Sequence, residues 1–311
     1  MLRSSSVLLV LATLCACKEP KGVEVDARHL VPAEADAVFG FELAPLRDSP
    51  IGPLIHTAMQ GDADMRGMLA SIPDCDVDLA NMRGLMATVV DANDKFVAVI
   101  ESPNIGDEGT VRCIEKGFAK ATGGPSGILL FETKGDVRVT PQQDGGYLVV
   151  LNKNAIAIMD KSWEDVVFAA IADPATRNTT TPLAKALAQV DAKTDAWFAV
   201  ALPDEARAGM TDIEGADGIT VVRASADLSS GMKLDVGLST RDAPNAKVLE
   251  GSLTKLITEL KPGLAGVGLP ATLLDTLTVK ANDADVAASL AVDEGALPGV
   301  IATLAPLFAE G

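Results

Sequence analysis

Hydrophobic and polar residues alternate along much of this chain, and the alternation recurs. Val31–Leu43 (VPAEADAVFGFEL) and Val190–Leu202 (VDAKTDAWFAVAL) each end in a run of period two. That period marks a strand with one buried face. Leu85–Asp91 and Lys95–Glu101 predict a hairpin turning at Ala92-Asn93-Asp94. Thr220–Asp227 and Met232–Thr240 predict its counterpart, turning at Ser229-Ser230-Gly231. A helical stripe follows each hairpin: Val111, Ile114, Phe118 and Ala121 in the first, then Val248, Leu249, Leu253, Leu256 and Ile257 in the second. Each half closes with more strands and a helix. These are Val137–Ile158 with Ser162–Ile171, and Leu277–Val292 with Ala296–Ala309.

The two halves match in order. At a constant offset of 159, the valines that open both segments, Ala33/Ala192, Asp36/Asp195, Ala37/Ala196, Phe39/Phe198 and Leu43/Leu202 are identical. Glu115/Glu250 and Lys120/Lys255 match at 135, which places an insertion of 24 residues before the first hairpin. That insertion includes Ser49-Pro50, a helix-start pair, with Leu54, Ala58, Met65, Met68 and Leu69 at helical spacing. Hairpin-paired strands with intervening helices predict an α+β fold with mainly antiparallel sheets. The expected unit is β-ββ-α-β-α, used twice. The chain divides into residues 1–16, 17–29, a first αβ subdomain at 30–175 and a second at 183–311. The polar, turn-rich segment Asp173–Pro182 joins the last two.

Met1-Leu2-Arg3 is a short basic start, and Val7–Leu14 (VLLVLATL) is an eight-residue apolar run. It fits a signal-peptide core of about 7–15 residues and falls short of the ~20 a spanning helix needs. Leu14-Cys15-Ala16-Cys17 resembles the lipobox of bacterial lipoproteins: Leu14 as the aliphatic residue, Ala16 before the cut, Cys17 as lipid acceptor. The resemblance implies diacylglycerol on Cys17, cleavage before it, and acylation of the new amino group. Several acyl chains anchor stably where one does not. Lys18 after the cysteine, rather than Asp, favours the outer membrane by the enterobacterial sorting rule. Lys18–Arg28 (KEPKGVEVDAR) reads as a polar tether.

Composition narrows the function. The chain of 311 residues carries 43 acids and 26 bases, for a net charge of −17. Cleavage before Cys17 would remove Arg3 and leave −18. That balance excludes the basic face nucleic-acid binding requires and opposes docking on anionic lipid by charge. Two histidines cannot build a multi-histidine metal centre.

Of four cysteines, Cys15 leaves with the signal peptide and Cys17 takes lipid. Cys75 and Cys113 remain, an even pair in an oxidising compartment, so a disulfide is expected. Closing that loop is worth about 3–4 kcal/mol by chain entropy. A redox pair and two buried thiols are the alternatives, although C-x-x-C spacing is absent.

Candidate chemistry is sparse. Asp74, Asp76 and Asp78 (DCDVD) open like a calcium loop, but Leu79 and Leu85 stand where the glycine and the bidentate glutamate belong. His29 and His56 have no serine elbow to serve, since Ser126 in GGPSG lacks the final glycine. Gly263–Gly268 (GLAGVG) lacks dinucleotide spacing. Trp163 and Trp197 read as core residues. No metal, cofactor or catalytic residue is assigned.

The whole chain resembles uncharacterised bacterial lipoproteins: a lipobox, a first strand after Pro32–Ala37 (PAEADA), two cysteines in the first half and repeated αβ units. The resemblance implies a cell-envelope protein anchored in the membrane through acyl chains on Cys17, facing the periplasm or the cell surface. The leading expectation is a non-enzymatic module that binds or scaffolds an envelope protein partner. The alternatives are a carrier of an apolar ligand or lipid between sheet and helices, and a carboxylate-dependent hydrolase.

Overall fold

The computed structural model describes residues 22–50, 52–53, 75, 77–89, 92–122, 131–142, 145–191, 193–210, 212–266 and 271–300. Among these, seven α-helices accompany a twelve-stranded sheet in which all neighbouring strands run antiparallel. The fold is α+β with a mainly antiparallel sheet, as the alternation predicts.

The first half supplies β1 (Ala37–Glu42), β2 (Arg83–Val89), β3 (Ala92–Glu101), β4 (Glu132–Lys134), β5 (Val137–Pro141), β6 (Tyr147–Asn152) and β7 (Ala155–Met159). The second supplies β8 (Ala196–Ala201), β9 (Ile219–Asp227), β10 (Gly231–Thr240), β11 (Thr278–Asn282) and β12 (Asp285–Asp293). Their order is β11-β12-β10-β9-β8-β1-β2-β3-β7-β6-β5-β4. Both chain segments therefore lie in one continuous sheet, joined at its centre by β1 and β8. In that junction Phe39 stands opposite Phe198, Ala37 opposite Val200 and Phe41 opposite Ala196. Phe39 and Phe198 are the same two residues that lie 159 apart in the sequence match.

The helices are α1 (Leu43–Asp48), α2 (Glu108–Thr122), α3 (Glu164–Ala172), α4 (Pro182–Leu187), α5 (Asp204–Ala208), α6 (Ala243–Gly266) and α7 (Ala271–Thr276). Neither α1 nor α4 is marked by apolar periodicity; at six residues each, they hold too few turns to show a stripe. Thr181 caps α4 by accepting from the Ala184 N–H at 3.2 Å, with Pro182 in the first turn. Ser49 is the C-cap of α1, its hydroxyl donating to the Leu46 carbonyl at 2.7 Å. Its own carbonyl accepts from the Gly52 N–H at 2.9 Å, and residues 52–53 are helical, in keeping with a helix start at Ser49-Pro50. The insertion's helical stripe, Leu54–Leu69, lies outside the described residues, as do Cys15, Cys17 and His56. The α6 helix runs through Pro262 and takes in Gly263, part of the glycine-rich stretch.

Strand parity sorts the core into two layers. On one face, Val38, Leu85, Val97, Val99, Val149 and Ala199 meet Trp163, the N-cap of α3, Val167 within α3, and Leu183 and Leu187 of α4. On the other, α2 covers Leu148, Val150 and Ile156, while α6 covers Ile219, Ala281 and Val286. The segment expected as a tether is, from Gly22 onward, packed against the first face. The Val23 N–H donates to the Leu151 carbonyl at 2.7 Å. Val23, Val25 and Ala27 pack on the core, and Leu30 is fully buried. Alternation at 23, 25 and 27 gives this strap the apolar side that its charged residues obscure.

Cys75 and Cys113 form the expected disulfide, with Cα atoms 5.4 Å apart. It ties Cys75 to α2 within the layer that includes Val111 and Ile156. Trp163 and Trp197 are both buried, as expected.

Trp197 lies flat across the neighbouring strand, its indole filling the space a Cβ at Gly40 would occupy. Gly40→Ala must displace that ring and is expected to cost about 1–3 kcal/mol. Gly109, exposed in the first turn of α2 with nothing near its missing Cβ, is the control: Gly109→Ala should gain about 0.4–1 kcal/mol. Urea midpoints of the two variants check this; equal effects would contradict the packing.

Candidate functional site

Two places in the fold carry unspent chemistry. The first lies where the ends of β1, β2 and β3 meet the strap. The register sets Glu42 opposite Arg83 and Arg83 opposite Glu101. Parity puts all three on the face of Leu85 and Val99, directly beneath Glu24, Asp26 and Arg28 of the strap. Arg83 Nε lies 2.9 Å from Glu42 Oε1. Asp26 is held by Arg28 through both carboxylate oxygens, at 2.7 Å and 3.1 Å, and by the Arg28 backbone N–H at 3.0 Å.

These groups line two adjoining cavities of about 570 Å³ and 230 Å³ that share Glu42, Arg83 and Glu101. Burial pushes the Asp26 carboxyl up, but the hydrogen bonds and charge of Arg28 outweigh it and hold Asp26 below the usual aspartate range. Glu101 goes the other way. Burial pushes its carboxyl above the usual glutamate range; Arg83 opposes this, while Asp26 and Glu24 add to it. Among the described residues, then, both arginines are committed to a carboxylate, while Glu24 and Glu101 have none of their own. A cationic group entering the crevice would relieve Glu101. Protonated, Glu101 could instead donate a hydrogen bond.

The second place is the opposite face, at the centre of the sheet. Register aligns Ala98, Met86, Phe39, Phe198, Ala224 and Val236 in one apolar row across six strands. The Phe39 and Phe198 rings are 6.3 Å apart. Phe39 is 40% exposed and Met86 42% exposed, between the parts of the face that α2 and α6 cover. Val248 and Leu256 of α6 are exposed as well. Phe39 and Met86 are cross-strand neighbours, and adjoining exposed large apolar side chains mark interaction surfaces.

Other sequence candidates take structural roles. Asp78 accepts from the Ala80 N–H and from Asn81 Nδ2, at 3.0 Å and 2.7 Å, and so caps the short turn Leu79–Asn81. Asp74, Asp76 and Ser126 lie outside the described residues. His29 stands at the strap, where its Nε2 accepts from Arg177 Nη1 at 2.6 Å. No helix among the described residues is long and apolar enough to cross a membrane. Neither the acidic crevice nor the apolar row is visible in local motifs, because each is assembled by register from strands far apart in the chain.

Because folding holds the Glu101 proton more tightly than the unfolded chain does, ionised Glu101 costs stability as pH rises through its raised value. Glu101→Gln stays neutral at every pH. Its urea midpoint should therefore gain on the wild type as pH rises from about 4 to about 7. A difference that does not change with pH would contradict the assignment.

Comparison of the chain with protein-family models, curated proteins and solved structures finds no match.

Proposed function

We propose that the protein is a lipid-anchored component of the bacterial cell envelope, attached to the outer membrane through acyl chains on Cys17, and that it binds or scaffolds a protein partner without catalysis of its own. The observation that carries this reading is the exposed apolar row at Phe39, Met86 and Phe198. Exposing Phe39 and Met86 in water forgoes part of the roughly 1.5–3 kcal/mol each would gain on burial. A partner covering the strip recovers it.

The geometry of the anchor fits. The strap enters the fold at Gly22, five residues after Cys17. At about 3.3–3.6 Å per residue, those residues span at most roughly 18 Å, so the sheet is held close to the bilayer. An acidic body at that distance is repelled by anionic headgroups, which keeps its faces available.

We also read the chain as an internal duplication. Equivalent backbone bonds in the two halves support this reading. Glu42 N–H donates to Asp195 O at 2.7 Å, and Ala201 N–H to Asp36 O at 2.6 Å. Leu43 N–H to Met82 O and Leu202 N–H to Thr220 O are both 2.9 Å. Ser102 N–H to Asn154 O and Thr240 N–H to Ala284 O repeat the pattern, at 2.9 and 2.7 Å. On this reading the interaction strip sits where the two copies meet.

A second reading, a carboxylate-dependent hydrolase, draws support from the crevice. There burial pushes the Glu101 carboxyl above the usual glutamate range, and a second carboxylate, Glu42, lies across Arg83 from it.

Two measurements test the leading reading together. Radiolabelled palmitate should enter the wild type and not Cys17→Ala. A photo-crosslinker at position 39 should give a discrete adduct in cells that is lost with Met86→Asp, while one at the exposed turn residue Ser229 gives none. Equal labelling of Cys17→Ala, or the same adduct from both positions, would contradict it.

A further inference from the structure

A third cavity of about 690 Å³ lies between the strap and α4, separate from the apolar row and on the opposite face. Its lining inverts the charge of the protein. Arg28, Arg177 and Lys185 face it, and among the described residues that line it Asp26 is the one carboxylate. Asp26 is already occupied by Arg28, in the two-point pair at 2.7 and 3.1 Å. Arg177 and Lys185 have no carboxylate partner among the described residues. Both line the same cavity, so an anion seated there would meet two cations at once.

The position of Arg177 is fixed without spending its charge. Its Nη1 donates to His29 Nε2 at 2.6 Å, across 148 residues of sequence. The imidazole accepts, so this bond assigns the ring proton to Nδ1. A neutral acceptor orients the guanidinium while leaving its other N–H donors and its full charge available to a ligand. A planar fork held this way suits a carboxylate. Beside it the groove is apolar: Val31 and Leu187 are buried in its floor, and Ala184 and Ala188 line it. The volume falls within the ~300–1,000 Å³ common for small-molecule sites.

We propose that this groove binds a small amphipathic carboxylate, its head on Arg177 and Lys185 and its short aliphatic body along Val31, Ala184 and Leu187. Head and body recognition are separable, because the cations lie on the exposed rim and the apolar residues in the floor. Removing Arg177 therefore weakens the head contact without disturbing the core.

Isothermal titration of the full soluble chain with octanoate, octanol and inorganic phosphate tests this. Octanoate is expected to bind saturably at one site, with octanol and phosphate each at least tenfold weaker. Arg177→Ala and Lys185→Ala should each weaken octanoate at least tenfold, and Arg177→Lys should recover part of the loss. Unchanged circular dichroism shows that each variant is folded; if Arg177→Ala is not, Lys185→Ala alone decides. Absence of saturable octanoate binding, equal binding of octanol or of phosphate, or undiminished affinity in the folded variants would overturn the proposal.

Discussion

The antiparallel pairing of β1 with β8 is the constraint on which the rest of the structure depends. Unpaired, each strand would be an open sheet edge, the feature most prone to adventitious association. Paired, they turn two chain segments into one sheet. The backbone bonds between them are worth only about 0.5–1.5 kcal/mol each. The side chains they align contribute more, at roughly 1.5–3 kcal/mol for each large apolar group buried. Val38 and Ala199 are completely buried against each other's half, and Trp197 lies across Gly40. The hydrogen bonds thus set the register, and burial drives the association. The same register delivers Phe39 and Phe198 side by side on the opposite face, where coverage by α2 and α6 stops short.

The two halves differ in how their faces are used. The first buries both faces of β6 and β7, whose residues are almost all apolar. The second leaves one face polar. There Arg223 lies flat over Gly237, and its Nη1 reaches Asp285 Oδ1 and Ser239 Oγ, each at 3.1 Å. The Ser239 hydroxyl donates to the same carboxylate oxygen at 2.7 Å. The Glu42–Arg83–Glu101 row has no equivalent in the second half, where the topologically matching strand ends carry Ala201, Val221 and Ser239. The strap crosses the strand ends of the first half and reaches α4 and Trp197 beyond it. Its cavities bring the acidic crevice and the Arg177 groove together at the same end of the molecule.

Much of this architecture was legible in the sequence. Period-two alternation located β9, β10, β11 and β12 within a residue or two, and the apolar stripes located α2 and most of α6. The cysteine pairing followed from an even count, once the lipobox-like start was read as an address to an oxidising compartment. What stayed hidden was of another kind. Alternation in Val38-Phe39-Gly40-Phe41 shows that one face is buried, but not that Phe39 would be left half-exposed on the other. That depends on where helices from elsewhere in the chain come to rest. The strap was masked by Glu24, Asp26 and Arg28, whose charges hid the alternation of Val23, Val25 and Ala27. The acidic crevice and the groove join residues whose separations, such as the 148 between His29 and Arg177, leave no local trace.

Native-state hydrogen exchange, resolved along the chain, tests the continuous sheet most directly. If β1 and β8 are its centre, peptides covering 37–42 and 196–201 exchange only through global unfolding and fall in the slowest class. If those two segments instead exchange through an opening of lower free energy while β6, β7, β9 and β10 stay protected, the halves are separate bodies and the account fails.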